Sequence, residues 1–350
     1  MHYLVTGHTG FKGAWLTLLL DRLGHDVSGL SLDPAPGALY ERARLGEVLR
    51  HDLRVDVRDA VATADAVAEI SPDVVMHLAA QPLVRESYRD PRTTWETNVN
   101  GTYNVLDAVA ATPGILATLV VTTDKVYRNV DQIWGYKETD PLGGVDPYSA
   151  SKAAADLLTQ SWIASSGCDV PTAIARAGNV VGGGDVSPDR LLVDLIASFS
   201  AGRPVRLRYP HAVRPWQHVL DCLNGYLSLV DTLLDGKHAG EAFNFGPGTR
   251  SFVEVGLLAR SVATLWGPTA GVDLDDAPAP HEAGLLALDA RKAELVLGWR
   301  NHLDLDATLE WTVRWAQRVL AGEDAREVSL DQIDRFLDAG KVPTNLAGSP

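Results

Sequence analysis

The segment HYLVTGHTGFKG, residues 2–13, decides the fold of this chain. Its opening residues His2 to Val5 are typical of a buried β-strand, and the amphipathic run from Trp15 to Leu23 is typical of a helix that ends at Gly24. Glycines between a strand and a helix allow a tight turn and close packing of the helix. The segment therefore predicts the first strand–turn–helix unit of a parallel α/β sheet.

The glycines of this turn have the spacing Gly-x-x-Gly-x-x-Gly. Out of context the spacing is weak, and a turn without a ligand is the alternative. Between a strand and a helix, however, it brings backbone amides and the positive end of the helix dipole to a diphosphate. The turn therefore predicts dinucleotide binding, and the residues expected to contact the cofactor are Gly7, Thr9, Gly10, Phe11 and Gly13.

An acidic residue bears on the choice of dinucleotide. Asp33 lies twenty residues after Gly13, at the end of a predicted second strand, Asp26 to Leu32. A carboxylate at this place hydrogen-bonds the adenosine ribose and disfavours a 2′-phosphate, which favours NAD. Arg42 and Arg44 follow closely enough in the sequence to leave NADP open as the alternative.

Short apolar runs alternate with helical patterns through the first half of the chain. Further strands are predicted at Val74 to Leu78, Leu119 to Thr122 and Thr172 to Arg176. This alternation predicts an α/β fold, a doubly wound parallel sheet of the Rossmann type, in residues 1–178. The pattern loosens after that point. Residues 179–322 are predicted to form mainly a smaller C-terminal substrate-binding lobe, with some segments returning to the first domain, and residues 323–350 a helix and tail.

Composition excludes several classes of partner. Lys and Arg number 31 and Asp and Glu 45, a formal net charge of −14, which argues against nucleic acid. The two cysteines, Cys168 and Cys222, suggest neither a disulfide framework nor a zinc site and fit a reducing cytoplasm. No ligand spacing suggests a metal. The leucine-rich run 16–20 is too short to span a membrane. We therefore expect a cytoplasmic protein without a membrane, metal or nucleic-acid partner.

Tyr148 and Lys152 are four residues apart and would share one face of a helix. An ammonium group beside a phenol stabilises the phenolate and lowers the pKa of the phenol towards neutrality. The pair could then take a proton from an alcohol while a hydride leaves the carbon. The spacing alone is common on exposed helices, so its meaning depends on the cofactor turn.

With these motifs together, the chain resembles the extended short-chain dehydrogenase/reductase family. The resemblance covers nearly the whole chain and includes Asp56-Val57, the segment HLAA at 77–80, and Asn98. It implies NAD as the cofactor, with Tyr148 and Lys152 also touching it. Further cofactor-binding residues that the resemblance implies are Asp56, Val57, Leu78, Ala79, Ala80 and Asn98.

Within that family the chain is most similar to the nucleotide-sugar 4,6-dehydratases, those of CDP-glucose above all. The similarity rests on AQPLVR at 80–85, TTDK at 122–125, ARAGN at 175–179, RPWQH at 214–218 and PHEA at 280–283. It implies oxidation of the sugar at C4, loss of water across C5 and C6, and return of the hydride to C6. A nucleotide-sugar epimerase or ketoreductase of the same family, or a non-catalytic NAD-binding protein, is the alternative.

The resemblance also implies roles for residues near the Tyr–Lys pair. Asp124 would protonate the leaving C6 hydroxyl, and Thr123 would hydrogen-bond the substrate hydroxyl near Tyr148. Lys125 stands where many related dehydratases have Glu, so it could act as a base only with a lowered pKa, or it could steady the enolate; this choice stays open. Residues expected to contact the nucleotide sugar are Gln81, Arg85, Asn179, Arg190, Arg208, Arg214 and His281.

Two helical regions carry apolar stripes, around Thr94 to Ala110 and Ser151 to Ala164. Family members pair such helices in a four-helix interface, so the resemblance implies a homodimer. The alternative is that the stripes only cover the sheet.

Overall fold

The computed structural model describes residues 1–207, 209–274 and 286–339. Its strands follow in chain order: β1 His2–Thr6, β2 Asp26–Ser31, β3 His51–Arg54, β4 Val74–His77, β5 Ala117–Val121, β6 Thr172–Ala177, β7 Val180–Val181, β8 Val205–Leu207, β9 Val213–Pro215, β10 Gln217–His218, β11 Ala242–Phe245, β12 Phe252–Glu254 and β13 Val272–Leu274.

The α-helices lie between and after these strands: α1 Phe11–Arg22, α2 Leu39–Arg42, α3 Ala60–Ile70, α4 Val84–Arg89, α5 Pro91–Trp95, α6 Gly101–Ala111, α7 Pro147–Ser165, α8 Leu191–Ser200, α9 Val219–Leu234, α10 Val255–Trp266, α11 Arg291–Val296, α12 Leu305–Leu320 and α13 Ala325–Asp338. A π-helical turn, Glu96–Asn100, joins α5 to α6, and short 3-10 turns occupy Leu45–Glu47, Asp124–Val126 and Thr249–Ser251.

Seven strands form one parallel sheet in the order β11-β6-β5-β4-β1-β2-β3. The strand order reverses at β1, where Tyr3 pairs with Val27 of β2 on one side and with Val74 of β4 on the other. In open parallel sheets, ligands bind outside the carboxyl ends of the strands at such a reversal. The predicted doubly wound fold is confirmed, and it places the glycine turn at this point.

Alternate residues of β1 enter two different cores. Tyr3 and Val5 join a large cluster with Trp15 of α1 and Val328 of α13. Leu4 points the other way, into a cluster with residues of α3 and α6. Because helices cover both faces, the central strands are buried throughout, which explains their continuous apolar runs.

The chain leaves the sheet after β6 and later returns to it. Short pairs β7–β10, β8–β13 and β9–β12 lie outside the main sheet. The strand β11 then pairs in parallel with β6, with Phe243 opposite Ala175. Sequence analysis did not predict β11, whose short apolar run is interrupted by Asn244. The predicted domain boundaries remain a prediction.

Element bounds differ from the prediction by a few residues. Helix α1 begins at Phe11 because Gly10 is its extended N-cap, whereas the apolar pattern only becomes regular at Trp15. Among the described residues, no helix combines the length and apolar character needed to cross a bilayer.

Candidate active site

The glycine turn leaves no room for side chains at two of its positions. Gly7 has φ +76°, and a Cβ there would stand 2.8 Å from the backbone nitrogen of Ala79. A Cβ on Gly13 would stand 2.2 Å from the Gly7 carbonyl oxygen. The turn, the start of α1 and the end of β4 therefore meet through bare backbone. This cradle fits a dinucleotide, whose diphosphate needs close approach to backbone amides.

Thr9 fastens the turn to the end of β2. Its hydroxyl lies 2.7 Å from the Ser31 hydroxyl and donates to the Leu32 carbonyl at 3.1 Å. Phe11 reaches towards the glycine loop after β7, where a Cβ on Gly182 would stand 3.2 Å from its ring. Thr9 thus links the turn to the end of β2, and Phe11 lies near the loop that follows β7.

Asp33 lies beyond β2 with its side chain 89% exposed, and its carboxylate is 3.3 Å from the Arg54 guanidinium. Arg54 also donates to Asp52 at 2.5 Å. Arg42 and Arg44, which had left NADP open, bind elsewhere, to the Gly37 carbonyl and to the carboxylate of Asp324. Two carboxylates face one guanidinium at the adenosine end, so the local charge disfavours a 2′-phosphate.

His8, which sequence analysis did not single out, fills the space above β2. Its ring lies over Gly29, where a Cβ would stand 2.3 Å from it, and its Nε2 is 2.8 Å from Asp52. Burial lowers the pKa of His8. A glycine inside a predicted strand signals such a close approach and could have indicated a neighbour.

Asp56 and Val57 follow β3 and have different environments. Arg58 donates to the Asp56 carboxylate at 2.6 Å and lowers the pKa of that group. The Val57 side chain is buried against Gly101, where a Cβ would stand 2.7 Å from it. Asp56 is thus half-buried and paired with Arg58, whereas Val57 packs in the core.

The loop after β4 is tied down by side chains on both sides. The amides of Leu78 and Ala79 both donate to the Thr6 hydroxyl at 3.2 Å, and Ala80 follows them, half-buried. Asn98 is fully buried; it accepts from the Gln81 amide at 2.8 Å and donates to the Ser151 hydroxyl at 2.9 Å. Its amide therefore holds this loop against α7.

Two predicted substrate ligands in the same region have partners in the protein. Gln81 donates to Thr94 at 2.8 Å and accepts from the Leu83 amide at 2.6 Å. Arg85 forms an ion pair with Asp189, in the loop before α8. Substrate would have to replace these contacts in order to use either side chain.

Helix α7 carries both Tyr148 and Lys152, and a side-chain cap and a proline fix where this helix begins. The Asp146 carboxylate accepts from the Ser149 amide at 2.9 Å, and Pro147 occupies the first turn. Tyr148 is 8% exposed and Lys152 is 3% exposed. The Lys152 ammonium donates to the Val121 carbonyl at the end of β5, 2.8 Å away.

The protonation of the pair differs from the prediction. Burial raises the pKa of Tyr148, and the Thr123 hydroxyl and Arg190 only oppose that effect. Burial lowers the pKa of Lys152 to about 7, helped by Lys12 and opposed by Asp156. The pKa of the phenol is thus raised where a lowering was expected, because burial removes water from around the phenolate.

Asp156 lies one turn after Lys152, and its carboxylate is fixed by an arginine of β6. Its carboxylate accepts from Arg176 of β6 at 2.7 and 2.8 Å, and both side chains are fully buried. The Thr122 hydroxyl donates to it at 3.1 Å. This pair fixes α7 against the ends of β5 and β6.

The predicted acid lies beside the predicted base. Asp124 is 3% exposed; its Oδ1 accepts from the Thr123 hydroxyl at 2.9 Å and its Oδ2 from the Asn179 amide at 3.3 Å. The Thr123 hydroxyl also opposes the rise in the pKa of Tyr148. Lys125 follows in the same 3-10 turn and is half-buried. The structure thus brings Thr123, Asp124, Tyr148 and Asn179 together.

Backbone conformation after β6 makes this contact possible. Asn179 has φ +50°, a conformation that aims its amide at Asp124. A Cβ on Gly178 would stand 2.0 Å from the Asp124 carboxyl carbon. In the sequence Gly178 stands out only as part of a motif, and its role could not be inferred without the fold.

Lys12 is a second residue that sequence analysis missed. From the first turn of α1 its ammonium donates to the Tyr226 hydroxyl of α9 at 3.1 Å, and burial lowers its pKa. The residues that follow it in α1 are buried as far as Leu20 and, except for Thr17, carry no polar side chain. A lysine at the start of a helix that is otherwise buried was the feature of the sequence that could have identified Lys12 as a site residue.

The remaining predicted ligands lie around the cleft or outside the described residues. Arg190 is exposed at the N-cap of α8 and acts electrostatically on both Tyr148 and Lys12. Arg214 lies in β9 and donates to the Val213 carbonyl at 2.9 Å. Arg208 and His281 lie outside the described residues. Within the part of the chain that the structure describes, no three His, Cys, Asp or Glu side chains are grouped as metal ligands.

Comparison with known proteins agrees with this geometry. Residues 3–246 match the model of the NAD dependent epimerase/dehydratase family. CDP-glucose 4,6-dehydratase of Salmonella typhimurium strain LT2 is 41% identical over 344 residues, which cover 96% of each chain. dTDP-glucose 4,6-dehydratase of Streptomyces griseus is 33% identical and covers 90% of this chain and 93% of its own.

Solved structures of nucleotide-sugar enzymes share the fold. DesIV, a dTDP-glucose 4,6-dehydratase from Streptomyces venezuelae solved with NAD and TYD bound, superposes with a TM-score of 0.76 at 26% identity. The match covers 91% of this chain and 98% of that one. MoeE5 in complex with UDP-glucose and NAD, at 24% identity and a TM-score of 0.77, covers 91% of this chain and shares the fold.

Proposed function

The chain belongs to the NAD dependent epimerase/dehydratase family, and from that premise we propose that it is an NAD-dependent lyase, a nucleotide-sugar 4,6-dehydratase whose substrate is CDP-glucose. The single observation that carries the proposal is the position of the buried Asp124 carboxylate, which accepts from Thr123 at 2.9 Å and acts electrostatically on Tyr148. Epimerisation at C4 needs only the Tyr–Lys pair, whereas loss of water needs an acid. The Salmonella relative, 41% identical, has this activity in its name.

The glycine cradle, Asp33 and Asp56 would hold NAD, which when bound accepts a hydride from C4 of the sugar and returns it to C6. The chain's own residues move protons. Tyr148 takes the proton from the C4 hydroxyl, and Lys152, as an ammonium, stabilises the phenolate. The 4-keto group then makes the C5 proton acidic.

Asp124 gives a proton to the C6 hydroxyl so that it leaves as water. A second group must remove the C5 proton and later return it. Lys125 is the candidate, as a base or through its charge on the enolate. Because Asp124 is 3% exposed, its interactions are little screened by water.

The nucleotide part of the substrate needs cationic and amide donors. We assign it to the cleft residues Asn179, Arg190 and Arg214, together with Gln81, Arg85, Arg208 and His281. We also propose a cytoplasmic homodimer that pairs the surfaces of α6 and α7. Tyr103 of α6 and Leu157 of α7 are 48 and 54% exposed, and Trp95 at the end of the preceding α5 is 41% exposed.

The test offers CDP-, dTDP- and UDP-glucose in parallel with NAD. A 4-keto-6-deoxy sugar absorbs in alkali, and we expect this signal mainly with CDP-glucose. Formation of the C4 epimer alone would contradict the proposal. Asp124→Asn should form reduced cofactor yet fail to lose water, whereas Asp65→Asn, at an exposed position of α3, serves as the matched control.

A further inference from the structure

Arg54 stands at the end of β3, beside the place expected for the adenosine ribose. Ser31 of β2 is its partner in the sheet, and Asp33 follows Ser31 by two residues. The Nε of Arg54 lies 3.3 Å from the Asp33 carboxylate. In dinucleotide-binding folds an acid at this place binds the 2′-hydroxyl of NAD, whereas an arginine nearby accommodates the 2′-phosphate of NADP. This chain has both groups side by side, so the acid at position 33 does not by itself decide between the two cofactors.

Asp52 binds the same guanidinium from β3 itself, since residues two apart in a strand share a face. Arg54 Nη1 donates to Asp52 Oδ1 at 2.5 Å, and Nη2 donates to Oδ2 at 3.2 Å. This two-pronged contact is the strongest that an arginine makes with a carboxylate. Asp33 makes a single contact, and its side chain is 89% exposed, against 25% for Asp52. Water therefore screens the contact with Asp33 more than the contact with Asp52.

The Asp52 carboxylate is itself fixed by two further side chains. Gly29 lies opposite Asp52 in the sheet, and its missing Cβ leaves room for His8, whose Nε2 is 2.8 Å from Oδ1. The Tyr40 hydroxyl donates to Oδ2. Burial raises the pKa of Asp52, but hydrogen bonds from its neighbours lower it by more, so the group is charged at neutral pH.

Tyr40 also encloses the guanidinium. Its hydroxyl accepts from Arg54 Nη2 at 2.9 Å, and the guanidinium carbon lies 5.1 Å from the centre of its ring. All three guanidinium nitrogens thus have partners: Nε has Asp33, Nη1 has Asp52, and Nη2 has Asp52 and Tyr40. A 2′-phosphate would have to displace these contacts in order to bind Arg54, while facing two carboxylates.

We propose that Asp52 is a determinant of the preference for NAD over NADP, because it holds the Arg54 guanidinium and so withholds it from a 2′-phosphate. Asp33 adds its own charge at the ribose, and Asp52 keeps the arginine occupied. The inference concerns the cofactor and is independent of which sugar the protein turns over.

Calorimetric titration of the ligand-free protein with NAD and with NADP, which differ only by the 2′-phosphate, tests the proposal. The readout is the ratio of the two dissociation constants. Asp52→Asn keeps the size of the side chain and removes its charge, so Arg54 becomes available and NADP should gain about 10- to 100-fold on NAD. Asp26→Asn is the matched control, the same exchange at the other end of β2 in an exposed pair with Arg50 at 3.5 Å, and it should leave the ratio unchanged.

Arg54→Met separates release of the arginine from a general change of charge. Because Arg54 is already occupied in the wild type, its loss alone should change the dissociation constant of NADP by less than about threefold. Added to Asp52→Asn, it should remove most of the gain in NADP binding. Asp52→Ser keeps a hydroxyl for His8, should give the same gain, and replaces Asp52→Asn should that variant not fold.

An unchanged ratio after loss of the Asp52 charge overturns the proposal, as does a gain that persists without Arg54. A large loss of NADP binding in Arg54→Met alone would also overturn it, because the arginine would then be free for the phosphate in the wild type. Each of these results leaves the proposed lyase activity intact, since cofactor binding is measured without sugar.

Discussion

The carboxyl group of Asp124 lies directly against Gly178. A Cβ at position 178 would stand 2.0 Å from the carboxyl carbon and 2.1 Å from Oδ2. The obstructed group is the end of a side chain, which can rotate away. Gly178→Ala should therefore move the carboxyl group without unfolding the protein. We expect C4 oxidation to persist and loss of water to slow on the order of 100-fold, measured as accumulation of reduced cofactor.

The control for this variant is Gly248→Ala, since a Cβ there meets no atom within 4 Å and its φ is ordinary. Equal rates of water loss in both variants would show that Gly178 does not position the acid.

Tyr148→Phe should retain cofactor binding and lose C4 oxidation about 100- to 10,000-fold, the usual contribution of a general base. Titration with NAD measures the first and single-turnover absorbance the second. Tyr88→Phe, at a tyrosine 64% exposed, is the control. Near-normal turnover of Tyr148→Phe would remove Tyr148 from the role of base.

Lys152→Met should stabilise the ligand-free protein at neutral pH while abolishing activity. The pKa of Lys152 is about 7 in the folded protein and ordinarily 10.5, so the folded state disfavours the charged form. The resulting destabilisation is fully present below pH 7 and fades as pH rises towards 10.5. Each tenfold change in the protonation equilibrium corresponds to about 1.4 kcal/mol, so the gain is at most about 5 kcal/mol, less about 1 kcal/mol for the lost bond to Val121.

Urea unfolding of Lys152→Met at low and high pH checks this sign. The difference in unfolding free energy between variant and wild type should shrink as pH rises. A difference that grows with pH would mean that the folded protein favours the ammonium form.

Lys12→Met should move the alkaline limb of the pH–rate profile to higher pH. Lys12 contributes to the low pKa of Lys152, so its removal raises that pKa and keeps the ammonium charged further into the alkaline range. The profile of kcat/KM against pH measures the change. Lys137→Met, at an exposed lysine, should leave the profile unchanged. Movement of the limb to lower pH would contradict the electrostatic argument.

Leu157→Asp should convert the proposed homodimer to a monomer, because an unpaired carboxylate would enter an apolar interface. Mass in solution at micromolar concentration is the measurement. Leu295→Asp, on α11 at 79% exposure, is the control. A wild-type protein that is already monomeric would rule out the dimer itself.

Local patterns were sufficient for the fold and the family. The glycine spacing, the alternation of strands and helices, and the Tyr148–Lys152 spacing each depend on neighbours in the sequence, so the doubly wound sheet could be predicted. The family resemblance and NAD as cofactor agree with the matched family and with the NAD complex of DesIV. The predicted ends of helices and strands were less accurate, because capping residues such as Gly10 determine where a helix begins.

Roles that depend on distant partners could not be predicted. Asn98 and Gln81 look like free polar ligands in the sequence, but residues from other elements occupy their amides. Lys12 reaches a tyrosine 214 positions away. The predicted direction of the Tyr148 pKa change was also wrong, because burial is a property of the tertiary structure.

The pairing of β11 with β6 returns the chain to the main sheet, and β12 and β13 after it then pair with β9 and β8 from before it. The chain departs from the sheet edge after Ala177 and comes back to the same edge at Ala242. Cutting the chain at 178 would strip the edge strand from β6 and expose its unpaired backbone groups to aggregation. Segments within the excursion can lengthen or change sequence while both ends stay registered on the sheet. The excursion between β6 and β11 can therefore diverge in evolution without disturbing the sheet that carries the glycine turn.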